Sequence, residues 1–472
     1  MTKKTYKPTK LYTTASLLKQ YKRVFSEEQF YFIHLIIKKA EEADDDGYVA
    51  LSAKHLTKQL GESVRKRVVQ PLIDEGVVEV FTSKEGKESY AQGTRSKRYR
   101  LKGKYAEEVR KEHLSFYTAA EDSNLSRRLF KFRAEDRNKA ISSRESFRKQ
   151  YEMMCRLEFD SERAYEMDER FSMRGYREKN KPFTKMTKLN FQSNMEVLSQ
   201  LSSGDFHFWF NGVRLSTCIT SAMREARKCL MDDKGNQMVE LDIRSSQPLF
   251  LCKALYYYHV DGLTKNYVQR LDDKHFADHP YIEKEFVSEY SDTRAFINEV
   301  VYGDIYKRLF HDYNLEEPEW EKTDMEGIEQ KSYSVAGTIP LNDTDRGGFK
   351  KMWNRDIMFN YHTRKRVPKV YKVFKEDFPS VAHFLEIAIG ENPNVYKRSR
   401  PFALMLQNYE SFFVHHIALE DLLRAFPERL FYTVHDSIGV PEDIVDEAQE
   451  IMQESLKGHL GIKGNAQLVS PD

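Results

Sequence analysis

Two aspartates far apart in the chain stand where a carboxylate is costly. Asp242 ends the run MVELDI and is followed by the polar turn RSSQP. Asp436 lies in FYTVHDSIGV, with His435 before it and apolar or small residues on both sides. An ionised carboxylate beside apolar groups is destabilising unless it is paired, hydrogen-bonded or metal-bound. Two such groups, each at the edge of a predicted strand, suit a shared divalent cation. Mg²⁺ takes one or two protein carboxylates and completes its octahedron with phosphate and water oxygens. Two ions held by two aspartates can activate a 3′-hydroxyl and stabilise a leaving pyrophosphate. Taken singly, each residue has a plainer reading. Asp242 can cap the next helix, Asp436 can stabilise a turn, and His435 can simply pack in a core.

The elements that must position these residues begin near residue 206. FHFWF and GVRLS, which contains Arg214, are followed by TSAMREARKCL, read as a helix. MVELDI is a strand and LFLCKALYYYH a helix. Further helices are expected over 293–311, 347–363 and 401–425, then a hairpin over 430–440. A last helix is expected over 441–457, with Pro441 at its first position. Strands and helices mix without βαβ alternation, so the expected class is α+β. Within 347–363, Lys351, Arg355 and Phe359 are four apart and share one helix face. That face could equally be an ordinary solvated one.

Several of these segments together resemble the family A DNA polymerases and the related single-subunit phage-type RNA polymerases. LDIRSSQP looks like their motif A, FKKMWNRDIMFN like the motif B helix, and VHDS like motif C. NGVRLST resembles the segment before motif A. GDIY, residues 303–306, resembles the short segment between A and B. RPFALMLQNYESFF resembles the segment between B and C, where a glutamine sits near the primer terminus. The order along the chain is that of the family, and the resemblance covers about residues 206–460. It implies a right-hand palm with an antiparallel sheet and reduced helical fingers over 206–472. Asp242 and Asp436 would be the catalytic metal ligands for two Mg²⁺ ions, with His435 beside them. Lys351 and Arg355 would meet the triphosphate and Phe359 the incoming base. Arg214 and Gln407 would lie at the primer and template. Gln247 falls five residues after Asp242. The DNA polymerases carry a glutamate there that blocks a ribose 2′-hydroxyl, and glutamine has nearly that bulk. Ser437 after the His-Asp pair is closer to the RNA polymerases. The sugar is therefore open, leaning to deoxynucleotides.

There are departures from the family. The distance from A to B is long, the distance from B to C is short, and nothing upstream resembles a proofreading exonuclease. In motif B, Thr363 stands eight residues after Arg355, where the family has an aromatic, and a shifted register would use Tyr361 or His362.

Upstream, the pattern is different. Residues 1–19 are basic and polar, expected as a loose arm. SEEQFYFIHLIIKKAEEA reads as a helix capped by Ser26. A short strand at Tyr48–Ala50 follows. A helix from Ser52 to Leu60 then ends at Gly61, with a second helix over 62–75 and a two-stranded segment ending near Leu101. That is the order of a winged helix-turn-helix, placed at 20–104. Arg65, Lys66 and Arg67 open its second helix, where such domains meet DNA. Arg95, Lys97 and Arg98 fall in GTRSKRYRLKGK, which has six basic residues and no acid. A wing on phosphate is the expectation, and a protein-binding role the alternative. Residues 105–205 are charged and helical in period, a connector or thumb-like region.

Composition sets broad bounds. Of 472 residues, 31% are charged and 40% hydrophobic, a globular mix. With 75 Lys+Arg against 73 Asp+Glu, any basic surface must be local. The four cysteines form no CxxC pair, which disfavours zinc and a disulfide framework and fits a reducing cytoplasm. MTKKTYKPTKLY lacks a signal-peptide core, and no apolar run nears the roughly 18 residues of a membrane span. The expectation is a cytoplasmic DNA polymerase of a phage, plasmid or other mobile element. Its partners are a DNA template, a primer and nucleoside triphosphates, with no membrane. The alternatives are a small RNA polymerase or primase, a nuclease using the same aspartates, or a non-catalytic replication initiator or transcription regulator.

Overall fold

Thr14 ends one element and starts the next. Strand β1 (Lys10–Thr14) runs into helix α1 (Ala15–Tyr21), where the Thr14 hydroxyl accepts from the Leu17 N–H at 3.3 Å. The computed structural model describes residues 10–40, 43–44, 46–82, 97–110, 114–120, 123–172, 177–178, 181–182, 185–199, 201–260, 291–302, 305, 321–325, 328–332, 353–358, 369–389, 395–462 and 468–471. The chain forms two compact units. One comprises 1–144, 158–209 and 217–230, and the other 145–157, 210–216 and 231–472.

In the first unit, α2 (Glu27–Lys38) opens with a reciprocal capping box between Ser26 and Gln29. Strand β2 (Val49–Leu51) follows. Helix α3 (Ala53–Leu60) is capped by Ser52 and ended by Gly61, whose φ of 85° only glycine adopts readily. The turn bends through Ser63, also at positive φ, into a π-helical segment, Arg65–Val69. That segment continues as α4 (Gln70–Asp74). Strands β3 (Val78–Val80) and β4 (Lys97–Leu101) complete an antiparallel sheet ordered β2-β4-β3. Phe30, Phe32, Ile33, Leu56, Leu60, Val68, Leu72 and Tyr99 belong to the buried core around it.

Residues 10–14, expected in a loose arm, form a buried strand instead. β1 pairs antiparallel with β5 (Leu114–Thr118), which follows α5 (Lys104–Arg110). The Tyr12 ring stacks on His34, and the Tyr12 N–H donates to His34 Nδ1 at 2.9 Å. Burial of Leu11 and Tyr12 offsets the entropy of ordering this stretch. Helix α6 (Asn124–Ser143), capped by Ser123, packs on α3. Helices Ser161–Ser172 and Lys185–Leu198 belong to the same unit.

The second unit begins with α7 (Glu145–Met154). Its centre is a four-stranded antiparallel sheet ordered β7-β8-β6-β9. The strands are β6 (Met238–Ile243), β7 (Tyr432–Val434), β8 (Ser437–Pro441) and β9 (Val469–Pro471). The helices in chain order are α8 (Ser246–Val260), α9 (Ser291–Val301), α10 (Lys369–Asp377) and α11 (Pro379–Ile389). Then come α12 (Val395–Phe413) and, after a π-helical segment at Val414–Ala418, α13 (Leu419–Ala425). Helix α14 (Val445–Leu460) packs on β6, β8 and β9, and α8 packs on α12.

The class is α+β, as expected. Two local expectations fail. Pro441 is not the first residue of an α-helix; it closes β8 opposite Met238 and is the N-cap of a 3₁₀ turn, Glu442–Ile444, that leads into α14 at Val445. The next N–H, of Glu442, donates to Gln237 O at 2.8 Å, so the first residue of that turn is still tied to the sheet edge. In TSAMREARKCL only Arg224–Arg227 is helical. Thr217 and Thr220 bond each other's backbone N–H groups through their hydroxyls, which holds a turn there. All four cysteines are free thiols. Among the described residues no helix is long and apolar enough to cross a membrane.

Candidate functional site

Strand register brings the two aspartates together. β6 and β8 pair with Asp242 opposite Ser437, and the Ile243 N–H donates to the Asp436 carbonyl at 3.2 Å. Both aspartates therefore lie at the same end of two neighbouring strands, and both are half-buried. Asp436 is the second residue of a two-residue loop between the paired Val434 and Ser437. The first, His435, is exposed and has φ 54°. A two-residue hairpin requires positive φ in its loop, normally supplied by glycine or asparagine. Histidine there is strained. Ser245, three residues after Asp242, also has φ 54°. Of the three non-glycine residues at positive φ among the described residues, two therefore flank the two carboxylates. Such outliers concentrate at functional sites.

The sheet under the loop is closely fitted. Gly439 lies opposite Tyr432 on β7 and Glu240 on β6. A Cβ at Gly439 would meet the Tyr432 ring at 2.3 Å, so the ring occupies the space a side chain would need. The Tyr432 hydroxyl reaches across to Glu240 at 3.1 Å.

A third acid stands behind the pair. Glu410, on α12, has a side chain only 1% exposed. Its Oε1 is paired with Arg214, and its Oε2 accepts from Gln247 Nε2 at 3.3 Å. Ser246 Oγ lies 3.4 Å from the same Oε2 and donates to Asp436 Oδ2 at 2.7 Å. One hydroxyl thus links the buried acid to the candidate metal ligand. Burial, and then the charge of Asp436, push the Glu410 carboxyl up to about 7, against the opposing pull of Arg214 and Gln247. Near neutral pH this carboxyl exchanges a proton that an ordinary glutamate would already have lost.

Sequence reasoning points to Gln407 on this helix and misses Glu410. Gln407 is half-buried and one turn away, on the same side of α12. The signal that could have found Glu410 is an acid within a run of core residues, since Leu406, Tyr409 and Phe413 are all buried. Arg214 and Gln247 are brought into the site, though by way of Glu410. Lys351 and Phe359 lie outside the described residues. Arg355 lies in the helical segment Trp353–Met358, its backbone alone being described. GDIY lies largely outside them too.

In the first unit the basic residues divide into two groups. Lys66 is exposed. Arg67 donates to the Leu60 carbonyl at 2.7 Å and lies 3.9 Å from Glu28. Arg65 is half-buried. Arg98 is paired with Asp44 and lies 3.6 Å above the Phe81 ring, while its neighbour Arg100 pairs with Glu79 at 3.0 Å. Lys97 opens β4, and Arg95 lies outside the described residues.

The donor set at the sheet end is two half-buried carboxylates, hard oxygen ligands of the kind Mg²⁺ accepts. Among the described residues no group of three or more His, Cys, Asp or Glu side chains is placed to hold a metal. Two aspartates that leave coordination positions to substrate oxygens fit the smaller demand. No known protein family matches the chain, and no curated protein sequence matches it.

Proposed function

We propose that the second unit is the palm of a template-directed nucleotidyltransferase acting on deoxynucleotides, a DNA polymerase. In this reading residues 20–104 form a winged helix-turn-helix that docks the enzyme on duplex DNA, and 105–205 connect the two. The observation that carries it is the register that sets Asp242 and Asp436 at one end of adjacent strands, each beside a strained turn. Two Mg²⁺ ions held by these aspartates would lower the pKa of a primer 3′-hydroxyl and neutralise the departing pyrophosphate.

The chain's own residues have separate tasks. Ser246 holds one oxygen of Asp436, fixing the carboxylate's rotation. Glu410 anchors Arg214 and Gln247 behind it. Gln247 is thereby held in the segment where bulk beside a sugar would discriminate against ribose. His435, exposed at the loop, would meet the primer backbone. Lys351 and Arg355 would bind the triphosphate and Phe359 the base, since phosphoryl transfer depends mainly on positioning and electrostatics. In the docking domain, the element order, the β2-β4-β3 sheet and the exposed Lys66 on the second helix support DNA binding.

The test is extension of a labelled primer on a DNA template with Mg²⁺. Deoxynucleotides and ribonucleotides are supplied separately, with Asp436→Ala in parallel. Extension with deoxynucleotides that vanishes in the variant is expected. Extension with ribonucleotides alone would make the enzyme an RNA polymerase or primase. No extension with either, by a folded chain that binds duplex, would leave an initiator or regulator.

A further inference from the structure

The chain is almost neutral overall, yet residues 53–67 and 124–134 carry nine lysines and arginines against one acid, Glu62. The fold brings these two stretches together, because α3 packs on α6. Arg128 on α6 donates to the Leu60 carbonyl at the end of α3, at 2.6 Å. Lys58 Nζ on α3 sits 5.7 Å from the centre of the Phe132 ring on α6.

The nine cations differ in what they do. Arg67 and Arg128 are engaged by the Leu60 carbonyl and Glu28, and Arg133 pairs with Asp205. Lys54, Lys58, Arg127 and Lys131 are exposed and make no ion pair within the described residues. Each pair is spaced one helical turn apart, about 6 Å along its axis, so cations line both sides of the seam between α3 and α6. By contrast, the neighbouring β4 arginines, Arg98 and Arg100, are neutralised by Asp44 and Glu79. Surface cations at this density repel one another, and a polyanion relieves that cost.

We infer that the exposed cations flanking this seam, Lys54, Lys58, Arg127 and Lys131, track the phosphate backbone of duplex DNA. This rests on the reading of residues 20–104 as a duplex-docking domain, and it extends the footprint onto a helix beyond that domain. Duplex is favoured over single strand by the side chains on this face. Single-strand binders stack bases on exposed aromatic rings. Among the described residues the exposed large apolar side chains are Val24, Tyr165, Val197 and Tyr302, none of them on α3 or α6.

The experiment uses the full chain and a fluorescent duplex of arbitrary sequence, with anisotropy read across a salt series. A quadruple variant with glutamine at Lys54, Lys58, Arg127 and Lys131 is compared with the wild type. The two pairwise variants, Lys54→Gln/Lys58→Gln and Arg127→Gln/Lys131→Gln, are measured too, as is Lys66→Gln. Each phosphate left without its cation lowers the slope of log K against log salt by about 0.9. The quadruple variant should therefore have a slope smaller by roughly 3 to 4, and each pair a slope smaller by about half of that. Unchanged slope and affinity in the quadruple variant, with wild type binding duplex and Lys66→Gln weakened, would overturn the face and leave the docking domain standing. A wild type that binds no duplex overturns both. Weakened binding to a single-stranded oligonucleotide alone, with duplex binding intact, also overturns it.

Discussion

Replacing Glu410 by glutamine removes a carboxyl that the fold has taken out of water. The ordinary glutamate value is 4.5, and in the folded chain it is pushed up to about 7. That difference corresponds to roughly 3 kcal/mol between the two protonation states. The folded pKa lies above the unfolded one, so the folded chain holds this proton more tightly. The favourable contribution is complete below about pH 4.5 and is lost as pH rises through 7. Glutamine has no such dependence, while its amide can still accept from Arg214. The stability of the wild type relative to Glu410→Gln should therefore fall by about 3 kcal/mol between pH 4.5 and 8. Urea unfolding of both chains at matched pH, with EDTA present, reads this difference, and other titrating groups cancel between the two. Because the chain has two compact units, hydrogen exchange in α12 serves as the local readout beside the global midpoint. Parallel profiles for the two chains would refute the reasoning. They would mean that Arg214 keeps the carboxylate ionised throughout.

On the proposed palm reading, Asp242→Asn and Asp436→Asn should each reduce primer extension by at least about 100-fold while leaving duplex binding intact, since each would remove a ligand charge; parallel extension and anisotropy assays check this. Gly439→Ala should cost about 2 kcal/mol by forcing a methyl into the Tyr432 ring. That cost should shrink in a Tyr432→Ala background, as a double-mutant cycle by urea unfolding would measure. In the first unit, burial and then Lys38 hold the His34 imidazole down to about 3. Its folded pKa is depressed, so the stability it contributes is present above about pH 6.5 and is lost as pH falls toward 3. His34 is only half-buried, and solvent screens part of this, so about 1 kcal/mol is expected by pH 5. Hydrogen-exchange protection in β1 and β5, taken relative to the intrinsic rate at each pH, should fall from pH 7 to pH 5, and His34→Gln should blunt the fall.

Local chemistry makes much of the fold legible. MVELDI reads as a strand because apolar residues face the core on one side, and it forms as Met238–Ile243. Ser26 and Ser52 read as caps, and Gly61 as a stop, because each satisfies or releases a specific backbone group within a few residues. The hairpin around His435 and Asp436 is visible from its flanking apolar runs. Pro441 shifts the reading by a few residues: it both ends β8 opposite Met238 and caps the 3₁₀ turn that follows, so the α-helix starts only at Val445.

The placement of each carboxylate at the end of a strand, and the helices around them, can thus be read along the chain. Three features cannot, and they arise only on folding. Asp242 lies opposite Ser437, Ser246 joins Asp436 to a buried Glu410, and Arg98 is answered by Asp44 while Lys58 meets no acid among the described residues. The difference is one of range. Caps, turns and periodicity are set by neighbours in the chain, whereas desolvation and charge pairing depend on residues the fold brings together from far along it.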